Sequence, residues 1–195
     1  VVIPNNKDYS DKLVGQLKGE KSAQLDFPLK GHETGEQFKK VLENLGKSFV
    51  QKPYNRMSSV ECFECWTVHS YEGDYNPMHD HGVRTQSGLS CILYLKVPDS
   101  IKNKPEVEVP NLNHASGVID GWTQFQWGAN TMKDIYQLRE QTQHVVRPVE
   151  GKLLMFPCWL NHMVWPFKGE GERRTLSANF NIHDSPEVTK QFAER

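Results

Sequence analysis

From about residue 59 the chain reads in a period of two, and this constrains its fold more than any other feature. VECFECWTVHSY (60–71) is rich in β-branched and aromatic residues, and SGLSCILYLKVP (87–98) follows as a second strand that ends at Pro98. GWTQFQW (121–127) alternates, and HVVRPV, KLLMFP, HMVWPF and RRTLSANFNI complete a set of short strands. Turn signals stand at Glu150-Gly151 and at Lys168-Gly169-Glu170-Gly171. Some seven or eight short strands after a helical start predict a mainly β sandwich or barrel with flanking helices.

The start of the chain predicts two helices. Residues 9–19 suit a short one, with Ser10 as cap and Leu13, Val14 and Leu17 on one face. Residues 34–50 give the clearer helix. Thr34 and Gln37 fit a capping box, and Phe38, Val41, Leu42, Leu45 and Phe49 form a stripe for packing on something flat. At the other end Ser185 and Pro186 predict a closing helix. Stretch 98–115 shows little period and reads as a loop or insertion, and 129–141 is ambiguous between a short helix and a loop. Position makes 98–145, with Trp122 and Trp127, the expected source of a substrate lid. The expected organisation is a single domain: helical support over 1–55, a β core over 56–182 and a terminal helix over 183–195.

Charge excludes some partners. With 23 Lys+Arg against 24 Asp+Glu in 195 residues, nothing predicts binding to nucleic acid or to an anionic membrane. No apolar run approaches the ~18 residues of a membrane span. VVIPNNKDYSDK lacks a signal-peptide pattern, and the simplest expectation is a soluble cytoplasmic protein. Oligomeric state is open, a homodimer included. Cys62 and Cys65 form a lone CxxC, which invites a zinc or redox reading. On a regular strand residues three apart face opposite sides, and no second CxxC completes a zinc site. Buried free thiols are the expectation.

His79-Asp80-His81 carries the chemistry. Two imidazoles two residues apart share one face of a strand and offer two neutral nitrogen ligands to a divalent metal. Pro77 and Gly82 flank the triplet as turn signals, so Asp80 stays open as an alternative to His81. His162 can supply a third nitrogen. The other histidines (His32, His69, His114, His144 and His183) read as bystanders. Eleven residues beyond His162 stands Arg173. On its strand Arg173, Thr175, Ser177, Asn179 and Asn181 share one polar face, and Leu176, Ala178, Phe180 and Ile182 an apolar one. A polar inward face is costly unless it lines a wet or ligand-filled cavity. Arg173 with Thr175 can fork onto a carboxylate, with Arg174 the alternative if the register slips.

These segments resemble a family. HDHGVRTQSGLSCILYLKVP, GKLLMFPCWLNHMVWPF and ERRTLSANFN are similar, in order and spacing, to motifs of a branch of iron(II)/2-oxoglutarate-dependent oxygenases found in phages and bacteria. LVGQLKGE resembles a short N-terminal segment of that branch, and YEGDYNPMH resembles the approach to the metal in prolyl hydroxylases. The resemblance covers roughly 71–97 and 151–182. It implies a double-stranded β-helix (jelly-roll, cupin-like), Fe(II), 2-oxoglutarate as co-substrate and O2. It implies His79 and His162 as ligands, with His81 where most members carry a carboxylate. It further implies Arg173 and Thr175 on the far carboxylate of 2-oxoglutarate. Tyr75 and Tyr94 are candidates for hydrogen bonds to that co-substrate, and Ser177 and Asn179 for the pocket lining. The implied activity is hydroxylation of a C–H bond in a small-molecule or peptidyl substrate, peptidyl proline among the options. The rival readings are a cupin-type metal protein, a three-histidine zinc hydrolase and a non-catalytic jelly-roll module.

Overall fold

The computed structural model describes residues 7–17, 19, 21–54, 57–82, 88–104, 118–128, 136–138 and 140–193. Nine strands are described: β1 (Ala23–Asp26), β2 (Ser58–Ser70), β3 (Asn76–His79), β4 (Gly88–Lys96), β5 (Thr123–Gln126), β6 (Gln143–Val146), β7 (Leu153–Pro157), β8 (Asn161–Val164) and β9 (Arg173–Asp184). Helices α1 (Glu33–Tyr54), α2 (Asp99–Lys102) and α3 (Pro186–Ala193) flank them. The strands make two antiparallel sheets, ordered β1-β2-β9-β4-β7 and β3-β8-β5-β6. This is the double-stranded β-helix that the family resemblance implies. No helix among the described residues is long and apolar enough to cross a membrane.

The large sheet is covered on both faces, and β9 divides the two environments. Leu176, Ala178 and Phe180 join Val60, Leu89, Leu42 and Val50 in an apolar cluster beneath α1, with Ile182 packed against it. Each fully buried Leu or Phe there contributes on the order of 1.5–3 kcal/mol. A second cluster fills the space between the sheets, around Tyr94, Ile101, Trp122, Phe125, Phe156 and Phe167. The opposite face of β9 opens into the cavity described below.

Several sequence expectations change. Ser10–Lys12 is only a single 3-10 turn, and Leu13 behind it is extended. The chain then bridges Gln16 to Tyr75, so this segment lies along the sheet instead of forming a helix over 9–19. Helix α1 starts at Glu33, one residue before the predicted cap, and Glu36 Oε1 accepts the Gly31 N–H at 3.1 Å. Its buried stripe is also rotated from the predicted one. Phe38, Leu42, Phe49 and Val50 face the core, whereas Val41 and Leu45 are 53% and 44% exposed. Gly46 sets this rotation: a Cβ there would stand 2.8 Å from Val60 Cγ1, so the helix lies close to β2 at this point. Residues 105–117, 129–135 and 139 of the expected lid lie outside the described residues, His114 with them. Trp122, by contrast, is core, not lid.

All four cysteines are free and buried, as expected, but not for the expected reason. A β-bulge between Cys62 and Glu64 adds a residue to β2. It reverses the parity, so Cys62 and Cys65 both enter the cluster under α1. The same bulge turns Glu64, Trp66, Val68 and Ser70 toward the other face, where Trp66 and Val68 line the cavity.

Candidate metal and carboxylate site

Strands from both sheets deliver three imidazoles to one point. His79 ends β3 and pairs directly across the ladder with His162 on β8. The strand stops there, so His81 arrives from the following turn and not from the strand face. Its backbone N–H is held by the Cys158 carbonyl at 2.8 Å. Ring centroids lie 4.2 Å apart for His79–His162, 5.3 Å for His79–His81 and 5.1 Å for His81–His162. One ligand nitrogen from each falls within 4.8 Å of the others. Asp80 is exposed at the cavity rim, and its Oδ1 accepts the Gly82 N–H at 2.9 Å.

The donor set fits a divalent transition metal. His79 Nδ1 meets the Pro77 carbonyl at 2.7 Å, His162 Nδ1 the Leu160 carbonyl at 3.0 Å, and His81 Nδ1 the Asn179 Oδ1 at 2.6 Å. Each acceptor requires a proton on Nδ1, which leaves the Nε2 lone pair of all three rings for a ligand role. Protonation does not compete. Burial, with His79 and His81 nearby, pushes His162 down to about 3, and burial lowers His79 as well. Neutral imidazole is the form that binds metal.

The triad opens into a cavity of about 210 Å³ between the sheets. Thr175, Ser177 and Asn179 line it from β9, as parity predicts, and Arg173 lies at its far end. Arg173 is only 2% exposed. Its Nε donates to the Gly121 carbonyl at 3.0 Å, one terminal nitrogen reaches Thr123 Oγ1 at 3.5 Å, and the guanidinium lies 5.3 Å from the Tyr94 ring centroid. Among the described residues no carboxylate pairs with it. Burial draws its ordinary value down, with Tyr94 acting against that. Arg174 faces the other way and forks onto Glu172 at 2.7 and 2.8 Å, which leaves Arg173 as the arginine facing the cavity.

Other predicted residues fall elsewhere. Tyr94 is fully buried and shares a hydrogen bond of 2.7 Å with Thr123 Oγ1, behind the cavity wall. Tyr75 bridges to Gln16 and is not among the lining side chains. Trp66 lies in the cavity wall, whereas Trp159 is 60% exposed. His69 pairs with Glu172 and His183 with Glu61, in keeping with bystander roles. Sequence reasoning missed Gln24, Leu13 and Val14, which close the cavity from the N-terminal side. It also missed Glu64 and Ser90, which stand in register on either side of Asn179. No local signal marks them, because the β2 bulge decides where Glu64 points.

Comparison with known proteins gives a family and a fold. Residues 64–179 match a family model described as "Putative 2OG-Fe(II) oxygenase". No curated protein matches the chain in sequence. Among solved structures, a Pseudomonas putida prolyl-4-hydroxylase superposes with a TM-score of 0.53 at 16% identity, over 93% of this chain and 78% of that one. A Burkholderia pseudomallei oxidoreductase of the 2OG-Fe(II) oxygenase family gives 0.51 at 13%, over 90% and 67%. HygX from Streptomyces hygroscopicus, solved with nickel and 2-oxoglutarate bound, gives 0.51 at 10%, over 87% and 74%. At these identities the likeness is one of fold.

Proposed function

The chain belongs to the 2OG-Fe(II) oxygenase family, and from that premise we propose that it is a hydroxylase in which His79, His81 and His162 hold Fe(II) and Arg173 holds 2-oxoglutarate. When bound, the iron supplies oxidative decarboxylation: 2-oxoglutarate, O2 and a C–H substrate give succinate, CO2 and the hydroxylated product. The chain's own residues have three tasks. The neutral imidazoles, fixed through their Nδ1 protons, present three nitrogens on one side and leave the cavity side open. Arg173 and Thr175, at one end of β9, grip the carboxylate of the co-substrate that lies away from the metal. Trp66, Val68, Phe156 and Val164 wall the space between and keep water from it.

One observation carries this reading: a guanidinium 2% exposed, with no carboxylate partner among the described residues, in the same cavity as the triad. A buried charge without a counter-ion is costly, and a dianionic co-substrate relieves that cost. Burial of the alkyl stem alone would not require the charged head to lie at the cavity. The hydroxylated group belongs to a small molecule or a peptide, a peptidyl prolyl side chain being one candidate.

The test is anaerobic. Fe(II) and 2-oxoglutarate added together should give the weak visible charge-transfer absorption of the chelate, and His162→Ala should abolish it. Tight zinc binding with no such band from Fe(II) would refute the assignment.

A further inference from the structure

His81 is anchored differently from its two companions. His79 and His162 each donate to a backbone carbonyl two residues away, a local contact. His81 instead donates to a side chain, and behind that side chain stands a carboxylate. Asn179 Oδ1 accepts from His81 Nδ1 at 2.6 Å and from Ser90 Oγ at 2.8 Å. Asn179 Nδ2 donates to Glu64 Oε1, and the Tyr9 hydroxyl donates to Glu64 Oε2. Glu64, Asn179 and Ser90 are direct cross-strand neighbours on β2, β9 and β4. The Tyr9 ring also stacks on Trp66 at 5.8 Å, and Trp66 lies tilted against the His81 ring at 6.1 Å.

The polarity of this chain is fixed from its far end. A carboxylate only accepts, so Asn179 must turn its NH2 toward Glu64. That places its carbonyl oxygen against His81, and a carbonyl oxygen only accepts. The proton of neutral His81 must then sit on Nδ1, and its lone pair on Nε2. Without the carboxylate Asn179 could rotate, offer N–H to Nδ1 and drive the proton to Nε2, the nitrogen otherwise left for a ligand role.

We propose that Glu64 is a positioning residue which, through Asn179, sets the tautomer and orientation of His81 and so retains the metal. It supplies from one shell further out the carboxylate that the three-histidine set lacks at the metal itself. The β2 bulge is what brings it there. This proposal rests on the reading of the triad as metal ligands.

Affinity for Fe(II), titrated anaerobically, and for Co(II), followed by its visible bands, tests it in wild type, Glu64→Gln and Glu64→Gln/Asn179→Asp. Loss of an outer-shell partner typically lowers metal affinity about 10- to 100-fold, and Glu64→Gln should fall in that range. The double variant should recover to within about threefold of wild type by the same logic. In it residue 179 can only accept, from the new amide and from His81, and the amide oxygen remains for Tyr9. In metal-free protein, imidazole nitrogen shifts should report His81 protonated on Nδ1 in wild type and in the double variant, with mixed tautomers in Glu64→Gln. Unchanged affinity in Glu64→Gln, or a double variant no better than that single one, overturns the proposal while the triad stands. A wild type that binds neither ion overturns the triad and this proposal together.

Discussion

Replacing Arg173 by methionine separates a residue that serves a ligand from one that serves the fold. Methionine keeps most of the stem volume and removes the charge and its donors. In the folded protein Arg173 makes a short hydrogen bond to Gly121 O at 3.0 Å, a 3.5 Å contact to Thr123 and a cation–π contact at 5.3 Å from the Tyr94 ring centroid. Losing the first costs on the order of 1–2 kcal/mol. Against this, the variant no longer buries an unpaired guanidinium, and replacing buried charge by apolar volume is often neutral or stabilising. The midpoint of thermal unfolding should therefore shift by no more than about 5 °C in either direction. Affinity for 2-oxoglutarate should respond far more. Truncating one partner of a buried, hydrogen-bonded charge pair costs about 2–5 kcal/mol, and about 3 kcal/mol is roughly a hundredfold in Kd. The assay is anaerobic titration of the Fe(II)-loaded protein with 2-oxoglutarate, beside a separate Fe(II) titration. A hundredfold loss for 2-oxoglutarate with Fe(II) affinity held within about threefold is the expected pair of results. Equal losses for both, or a large loss of stability with 2-oxoglutarate binding intact, would refute the anion-hook assignment.

Two further outcomes follow from the site. Asp80→Ala should leave Fe(II) affinity nearly unchanged, since its carboxylate holds the Gly82 N–H at the rim, whereas His81→Ala should weaken binding at least tenfold by titration; the reverse order would make Asp80 the third ligand. The metal-free protein should also lose stability as pH falls below about 6.5, where the unfolded histidines take up protons. Burial holds His162 at about 3 and lowers His79, so the unfolded state binds protons first and is favoured at lower pH. Between about pH 7 and about pH 5.5 the urea-unfolding free energy should drop by roughly 1 kcal/mol or more, and a flat profile there would mean that these rings are not buried in the neutral form.

What could be read from the sequence, and what could not, divides along one line: regular strands reveal their faces and irregular ones hide them. The alternation in β9 foretold both the apolar row under α1 and the polar row in the cavity, because twelve residues run without a break on that strand. His79 and His162 were legible for a similar reason, each lying on a strand. His81 was found by a parity argument that does not hold, since β3 ends at His79 and a turn delivers the next imidazole. The CxxC failed in the opposite sense. Period-two counting put Cys62 and Cys65 on opposite faces, and one bulge put them on the same face. In α1 the apolar residues were identified correctly, but Gly46, which has no side chain to signal its importance, fixes which of them turn inward. Tyr94 carries a hydroxyl suited to a ligand contact, yet its aromatic bulk is used behind the wall, where Thr123 satisfies the hydroxyl.

The charges of the site explain why a histidine can stand where a carboxylate is the common choice. A two-histidine, one-carboxylate centre places a negative charge in contact with the metal. In the three-histidine site proposed for this chain that contact would be neutral, and a carboxylate stands two hydrogen bonds away at Glu64. With Fe(II) balanced by the 2-oxoglutarate dianion, the Arg173 guanidinium at one end of the β9 face and Glu64 beside its other end would offset each other, as would Lys12 and Asp80 in the cavity lining. The proposed site would thus hold its metal through neutral ligands, with the carboxylate one shell further out. The consequence is a division of labour along β9. In the proposed site Arg173 at the strand's start would answer the co-substrate, and Asn179, six residues further on the same face, would answer the metal ligand. The carboxylate behind Asn179 comes from a bulge that no motif contains. A sequence that kept His79, His81, His162 and Arg173 but lost Glu64 would keep every residue of the recognisable pattern and still be expected to hold its metal poorly.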